Sequence, residues 1–153
     1  MDLRWHSYRY YAYEKELALR EVEALLAPRR VALTSQGVQL EGTQNAAAAE
    51  RLVYFAAAAH GGRDRPLLQA QLERAGAVGS GRQCTRYSVH GLHEYKGKFN
   101  PQIARAILNI FGIAAGARVL DPFCGSGTSL VECAHVGISA VGTDLNPLAV
   151  FVA

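Results

Sequence analysis

The residues of this 153-residue chain whose types and spacing suit them to chemistry lie in its last third, in "VLDPFCGSGTSLVECAHVGISAVGTDLNPLA". Asp121 and Asp144 each close a short apolar run, and Gly125 and Gly127 stand between them, followed by Thr128 at the head of a helical stretch reaching about His135. The pattern reads as strand, loop, helix, strand, with an acid at the carboxyl end of both strands. In open parallel sheets ligands settle outside those carboxyl ends, where a helix N-terminus also presents unpaired N–H groups. Asp144 follows Asp121 by 23 residues, near the spacing of about 20 at which a second acid reaches a ribose hydroxyl pair. A nucleoside with an anionic or zwitterionic tail is implied.

The glycine pattern narrows the nucleoside. A dinucleotide fingerprint needs a third glycine where this chain has Leu130, and a proline-bearing "DPF" separates strand from glycines. No Lys-Ser or Lys-Thr follows the glycines, which excludes a P-loop. S-adenosyl-L-methionine, with a methionine tail in place of two phosphates, fits better than a pyrophosphate.

"DPFCGSGT" resembles motif I of the amino-directed DNA methyltransferases, "GTDLNPLA" their motif II, and "HEYKGKFNPQIARAIL" the preceding motif that holds the methionine moiety. The resemblance covers about the last 65 residues. It implies that Lys98, Phe99, Asn100 and Pro101 approach the methionine tail, and that Asp121, Pro122, Phe123, Cys124, Gly125, Gly127 and Thr128 form the loop under the cofactor. It further implies that Asp144 binds the ribose, with Leu145 and Asn146 bordering the adenine. The implied reaction moves a methyl group from the sulfonium to an exocyclic amine of adenine or cytosine, with DNA as partner. An RNA substrate is the alternative, because the amino-terminal region weakly resembles small RNA-binding domains that precede some tRNA guanine methyltransferases.

The family's catalytic signature is Asp, Asn or Ser followed by two prolines and an aromatic residue, which stacks on a base turned out of the helix. The prolines here are Pro28, Pro66, Pro101, Pro122 and Pro147, and no two are adjacent. "NPLA" at Asn146 is no substitute, since Leu148 and Ala149 stand where the second proline and the aromatic belong. No catalytic residue is therefore assigned, and the catalytic half is expected elsewhere, as a separate chain or further sequence. A non-catalytic cofactor-binding subunit of a split enzyme is the remaining alternative. Cys84, His90 and His93 lack a fourth ligand at sensible spacing, so no metal is assigned.

These residues need elements to hold them. The expected fold class is α/β: the start of a Rossmann-like methyltransferase domain over 84–153, β-α-β in order, preceded by a small α+β region over 1–83 with a nucleic-acid-binding role. Within the latter, an aromatic extended run leads into an amphipathic helix carrying Leu17, Val22, Leu25 and Leu26, with its glutamates mostly on the other face and Pro28 as its end. "RVALTSQGVQLEG" reads as two strands around a turn in which Gly37 supplies a positive φ. "NAAAAERLVYFAAAAH" is a helix from alanine propensity, or a strand around Val53, Tyr54 and Phe55. "HGGRDRP" marks a break, and a short helix ends at Gly76. Asn100 before Pro101 starts a helix with Ile103, Ala106, Ile107 and Ile110 on its apolar face. With only two strands of the larger sheet present, much apolar strand surface is expected to lie open.

Bulk properties agree with a globular chain: 50% hydrophobic and 19% charged residues, with a net charge of +3. That charge is compatible with nucleic acid without requiring it. Three cysteines with no CxxC indicate neither a disulfide framework nor a four-cysteine zinc site. No apolar run reaches signal-peptide or membrane-span length, so the expected setting is cytoplasmic, away from any membrane.

Overall fold

The computed structural model describes residues 1–75 and 81–153. The amino-terminal part is a five-stranded antiparallel sheet of order β2-β3-β1-β4-β5, comprising β1 (Asp2–Trp5), β2 (Arg30–Leu33), β3 (Gly37–Glu41), β4 (Phe55–His60) and β5 (Arg63–Pro66). The strand before the first helix is thus Asp2–Trp5 rather than the aromatic run, whose rings cluster beside it: Trp5 stacks on Phe55 at 4.4 Å between centroids and Tyr10 tilts against Trp5 at 5.3 Å.

Helix α1 (Ala12–Leu26) lays Ala18, Val22 and Leu26 against Leu3, Val38, Leu40, Phe55 and Ala58 of the sheet. It ends at Ala27, in the left-handed conformation, just before Pro28. Its glutamates divide, against the expectation that they lie mostly away from the core. Glu14 and Glu21 are buried, because α1 is covered on its second side by α3 (Pro101–Ile110).

Two further expectations are corrected. The second alanine run forms β4, a strand hydrogen-bonded on both sides, while the first is a 3-10 helix at Ala46–Arg51. Alanine favours helix, yet the pairing of β1 and β5 with this segment outweighs a weak local preference. "HGGRDRP" is a hairpin: Gly61 (φ +59) and Gly62 (φ +76) make the reversal between β4 and β5. The helix before the connector, α2, runs Leu68–Ala75, and its expected end at Gly76 falls outside the described residues.

The carboxyl-terminal part is the expected β-α-β unit. Strand β6 (Arg118–Asp121) pairs in parallel with β7 (Ser139–Gly142), Asp121 opposite Gly142, and α4 (Thr128–His135) joins them. A short helix α5 (Pro147–Val152) follows. Helix α4 packs against α3 and β7, and a small core of Leu108, Cys133 and Ile138 forms between them. Neither strand is buried on both faces as a parallel strand usually is: Leu120 is 65% and Val141 58% exposed, because helices cover one side only. No helix among the described residues is long and apolar enough to cross a membrane.

Candidate functional site

Helix α3 carries the first wall of the site. The Asn100 side chain accepts hydrogen bonds from the N–H groups of Gln102 (2.9 Å) and Ile103 (3.2 Å), and Pro101 takes the first helical position, so the start of the helix is fixed as the sequence implied. Its buried face differs from the expected one. Gln102, Arg105, Ala106 and Asn109 are buried, while Ile107 is 38% exposed, so a mostly polar stripe faces inward.

Each polar side chain of that stripe is hydrogen-bonded to another part of the fold, although Gln102 Oε1 and Arg105 Nη1 are left buried without a partner. Gln102 donates to Cys84 O at 2.7 Å and to Glu73 Oε1 at 3.1 Å. Asn109 donates to Glu21 Oε1 at 2.6 Å and to Arg51 O at 2.9 Å. Arg105 is wholly buried and meets Glu132 of α4 through Nε at 2.6 Å and Nη2 at 2.5 Å. A buried ion pair survives only when both charges are paired and hydrogen-bonded, and here Glu132 also faces Tyr87 OH (2.9 Å) and His90 Nε2 (2.6 Å). Burial would raise the Glu132 pKa; His135, His90 and the Arg105 charge together bring it down to about 2.

His90, Glu132 and His135 place one ligand atom each within 4.8 Å of one another, a grouping that the sequence did not disclose because 45 residues separate His90 from His135. Arg105 Nη2 stands 3.0 Å from His135 Nδ1 and so supplies the positive charge at that spot. Cys84 and His93 are outside the grouping.

The second wall is the loop between β6 and α4. Its backbone is tied to the tip of β7: Thr143 N–H donates to Asp121 O (2.9 Å), Cys124 N–H to Thr143 O (3.0 Å), and Gly125 N–H to Asp144 Oδ2 (2.9 Å). The two acids therefore occupy neighbouring strand tips. Asp144 also accepts from Asn146 N–H at 2.9 Å, and these backbone bonds, from Asn146 and then Gly125, hold its carboxyl below the usual range. Gly125 and Gly127 both have positive φ, +53° and +79°. The sequence assigned them to close approach of a ligand; the protein itself supplies part of that approach. A Cβ at Gly125 would lie 3.3 Å from the Tyr95 ring, and one at Gly127 3.0 Å from Ala153.

Between the walls is a cleft of about 350 Å³, a size suited to a small ligand. Of the predicted residues it brings together Lys98, Phe99, Asp121, Phe123, Cys124, Gly125 and Thr128. Asn100 and Pro101 line a neighbouring cavity of about 570 Å³, and Pro122 a smaller one of about 180 Å³. Gly127, Asp144, Leu145 and Asn146 do not line the cleft: Leu145 is 92% exposed and Asn146 caps α5 by accepting from Leu148 N–H at 3.0 Å. Reasoning from sequence passed over Tyr95, Gly97, Ser126 and Ser129. Tyr95 and Gly97 sit inside the quoted "HEYKGKF", so only their direction was missing.

Electrostatics give each lining group a task. Lys98 Nζ donates to His90 O at 2.6 Å, which leaves two of its three protons for a ligand. Burial, and then the Arg86 charge, lowers its pKa. The Cys124 thiol is pushed up by burial and by Asp121 and Asp144, the opposite of what a nucleophile needs. Ser126 Oγ is buried with no hydrogen-bond partner in the protein. The cleft thus gathers an ammonium, an orphaned hydroxyl and the Asp121 carboxylate, with Asp144 on the next strand tip outside its lining.

Residues 92–150 match the family model described as "RMKL-like, methyltransferase domain". The chain is 45% identical over 65 residues, 42% of its length, to the Type II methyltransferase M.MjaII of Methanocaldococcus jannaschii. It is 44% identical over 52 residues, 34% of its length, to the tRNA (guanine(10)-N2)-dimethyltransferase of Methanothermobacter thermautotrophicus. With the Type II methyltransferase M.BsoBI of Geobacillus stearothermophilus it shares 34% identity over 61 residues, 40% of its length. These matches span only 12%, 16% and 12% of the respective relatives. The matched segment is similar to part of a methyltransferase domain, and the relatives' printed names include both DNA and tRNA enzymes.

Proposed function

We propose that residues 84–153 form the S-adenosyl-L-methionine-binding part of a methyltransferase acting on an exocyclic amino group of adenine or cytosine in DNA. Residues 1–83 are, in this reading, a small α+β unit packed on α3 through α1 that contacts nucleic acid. The observation that carries the proposal is the cleft at the carboxyl ends of two parallel strands, with Lys98 on one wall and the Asp121–Thr128 loop on the other.

The bound cofactor supplies an electrophilic methyl group on a sulfonium. Lys98 holds the methionine carboxylate with its two remaining protons. The Asp144 carboxylate, just outside the cleft lining on the next strand tip, spends one lone pair on each of two backbone N–H groups and retains others to accept from the hydroxyls of a ribose that extends past the cleft. Phe99 and Phe123, both largely exposed at the cleft, give the flat apolar surface on which an adenine rests. The groups that hold the target amine come from further polypeptide, and the protein's share in catalysis is mainly to set two reactants in line.

A second reading, methylation of a guanine amino group in tRNA, is favoured by the 44% identity to a tRNA dimethyltransferase. Both readings share the cofactor site and separate on the substrate. Isothermal titration calorimetry should show S-adenosylmethionine binding to the chain, weakened about tenfold or more by Asp144→Ala, since a lost charge-assisted hydrogen bond costs about 1.5–3 kcal/mol. Duplex DNA should then bind more tightly than tRNA; the reverse order replaces the first reading with the second. No heat with the wild-type chain contradicts both.

A further inference from the structure

Helix α4 lines one wall of the cleft and is tied to the other. Thr128, its first residue, lines the cleft directly, and Glu132, one turn later on the same side, reaches away to the segment that carries Lys98. Glu132 Oε1 meets Tyr87 OH at 2.9 Å and His90 Nε2 at 2.6 Å, and the carbonyl of that same His90 accepts the Lys98 ammonium at 2.6 Å. Oε2 is taken by Arg105, which ties α3 to the same point at 2.5–2.6 Å. His135, three residues along α4, bonds Ser88 Oγ at 3.1 Å, a second attachment to the segment.

We propose that Glu132 is a positioning residue for the cofactor cleft, setting the Lys98 ammonium through His90 at a fixed place opposite the glycine loop. This rests on the reading of the cleft as a cofactor site. The physical reason lies in the chain's own local structure. Between α2 and α3 the described segment holds one turn of 3-10 helix, Ser88–Gly91, and a turn in which Lys98 N–H donates to Tyr95 O at 3.2 Å, so its own backbone bonding fixes Lys98 only locally and not against α4. A long four-carbon side chain loses about 2 kcal/mol of rotamer freedom when held; a carbonyl already anchored in place lets one geometry prevail before any ligand arrives. Glu132 is wholly buried, too far inside to touch a ligand in the cleft, so its influence passes through the residues that it binds.

The test is a double-mutant cycle on S-adenosylhomocysteine affinity, measured by calorimetry on the full chain. Glu132→Gln should weaken binding about tenfold, and the same change made in a Lys98→Ala background should cost less than about twofold, because coupled groups do not add. Removing the partner of a buried arginine can unfold a protein, so Tyr87→Phe, which deletes one donor to Glu132, provides a milder arm with the same expected non-additivity and a smaller loss. Equal losses in both backgrounds would show that Glu132 serves stability alone and would overturn the inference. So would a folded Glu132→Gln chain that binds as the wild type does. A wild-type chain that binds no analogue removes the cofactor reading and this inference with it, whereas binding with additive losses removes the inference only.

Discussion

A Cβ on Gly37 would lie 1.7 Å from the carbonyl oxygen of Leu3, so no side chain is possible there without parting β1 from β3. The sequence marked this glycine for a positive φ, but its backbone is not in that region; the requirement is closeness to the neighbouring strand, which only the fold reveals. Gly37→Ala is therefore expected to destabilise by about 2–4 kcal/mol. Melting should fall by roughly 5–15 °C, given about 2–4 °C per kcal/mol for a chain of this size. An unchanged melting temperature would mean that β1 and β3 do not pair as seen. At the same scale, the residues that face the cleft were partly legible. Asp121, Gly125 and Thr128 follow from strand, turn and helix start, whereas Ser126 and Ser129 differ from ordinary loop and helix serines only in direction.

At the scale of elements, α3 was located to the residue at its start, and its inward face was misjudged. Periodicity seeks apolar residues, and the stripe of Gln102, Arg105 and Asn109 is polar because each finds a hydrogen-bond partner elsewhere in the fold. Asn109 meets Glu21 of α1, whose pKa is raised by burial to about 8, only partly offset by that hydrogen bond. From its ordinary 4.5 up to about 8 the folded chain keeps a proton that the unfolded chain releases. This group's contribution is thus full below pH 4.5 and falls as pH rises toward 8, by on the order of 5 kcal/mol. Glu132 acts in the opposite sense, its contribution being lost as pH falls from 4.5 toward 2. Glu21→Gln should flatten the decline of melting temperature between pH 5 and 8 and exceed the wild type at pH 8. Parallel curves for the two proteins would contradict a protonated Glu21. The alanine strand β4 was undetermined in the sequence for a related reason: its partners on either side, β1 and β5, lie far from it or beyond a turn, and local propensity carries no information about them.

Across the whole molecule, α1, α3 and α4 form a connected stack between the antiparallel sheet and the two parallel strands. The polar face of α3 joins the first 83 residues to the cleft: Arg51 donates to Asn109 Oδ1 at 3.1 Å and to Ile113 O at 2.8 Å, and Gln102 reaches Glu73. The β-α-β unit was legible because turn glycines, strand-end acids and apolar runs are local signals. The stack was not, since it is made of pairs such as Glu21 with Asn109, 88 residues apart. The central claim is that a nucleoside cofactor sits between Lys98 and the loop of Gly125. Amide chemical-shift mapping on S-adenosylhomocysteine titration tests it most directly. Shifts should centre on Lys98, Phe99, Gly125, Ser126, Thr128 and Asp144, leaving the five-stranded sheet unmoved. Saturable shifts confined to that sheet, or no shifts at the glycine loop, would contradict the account.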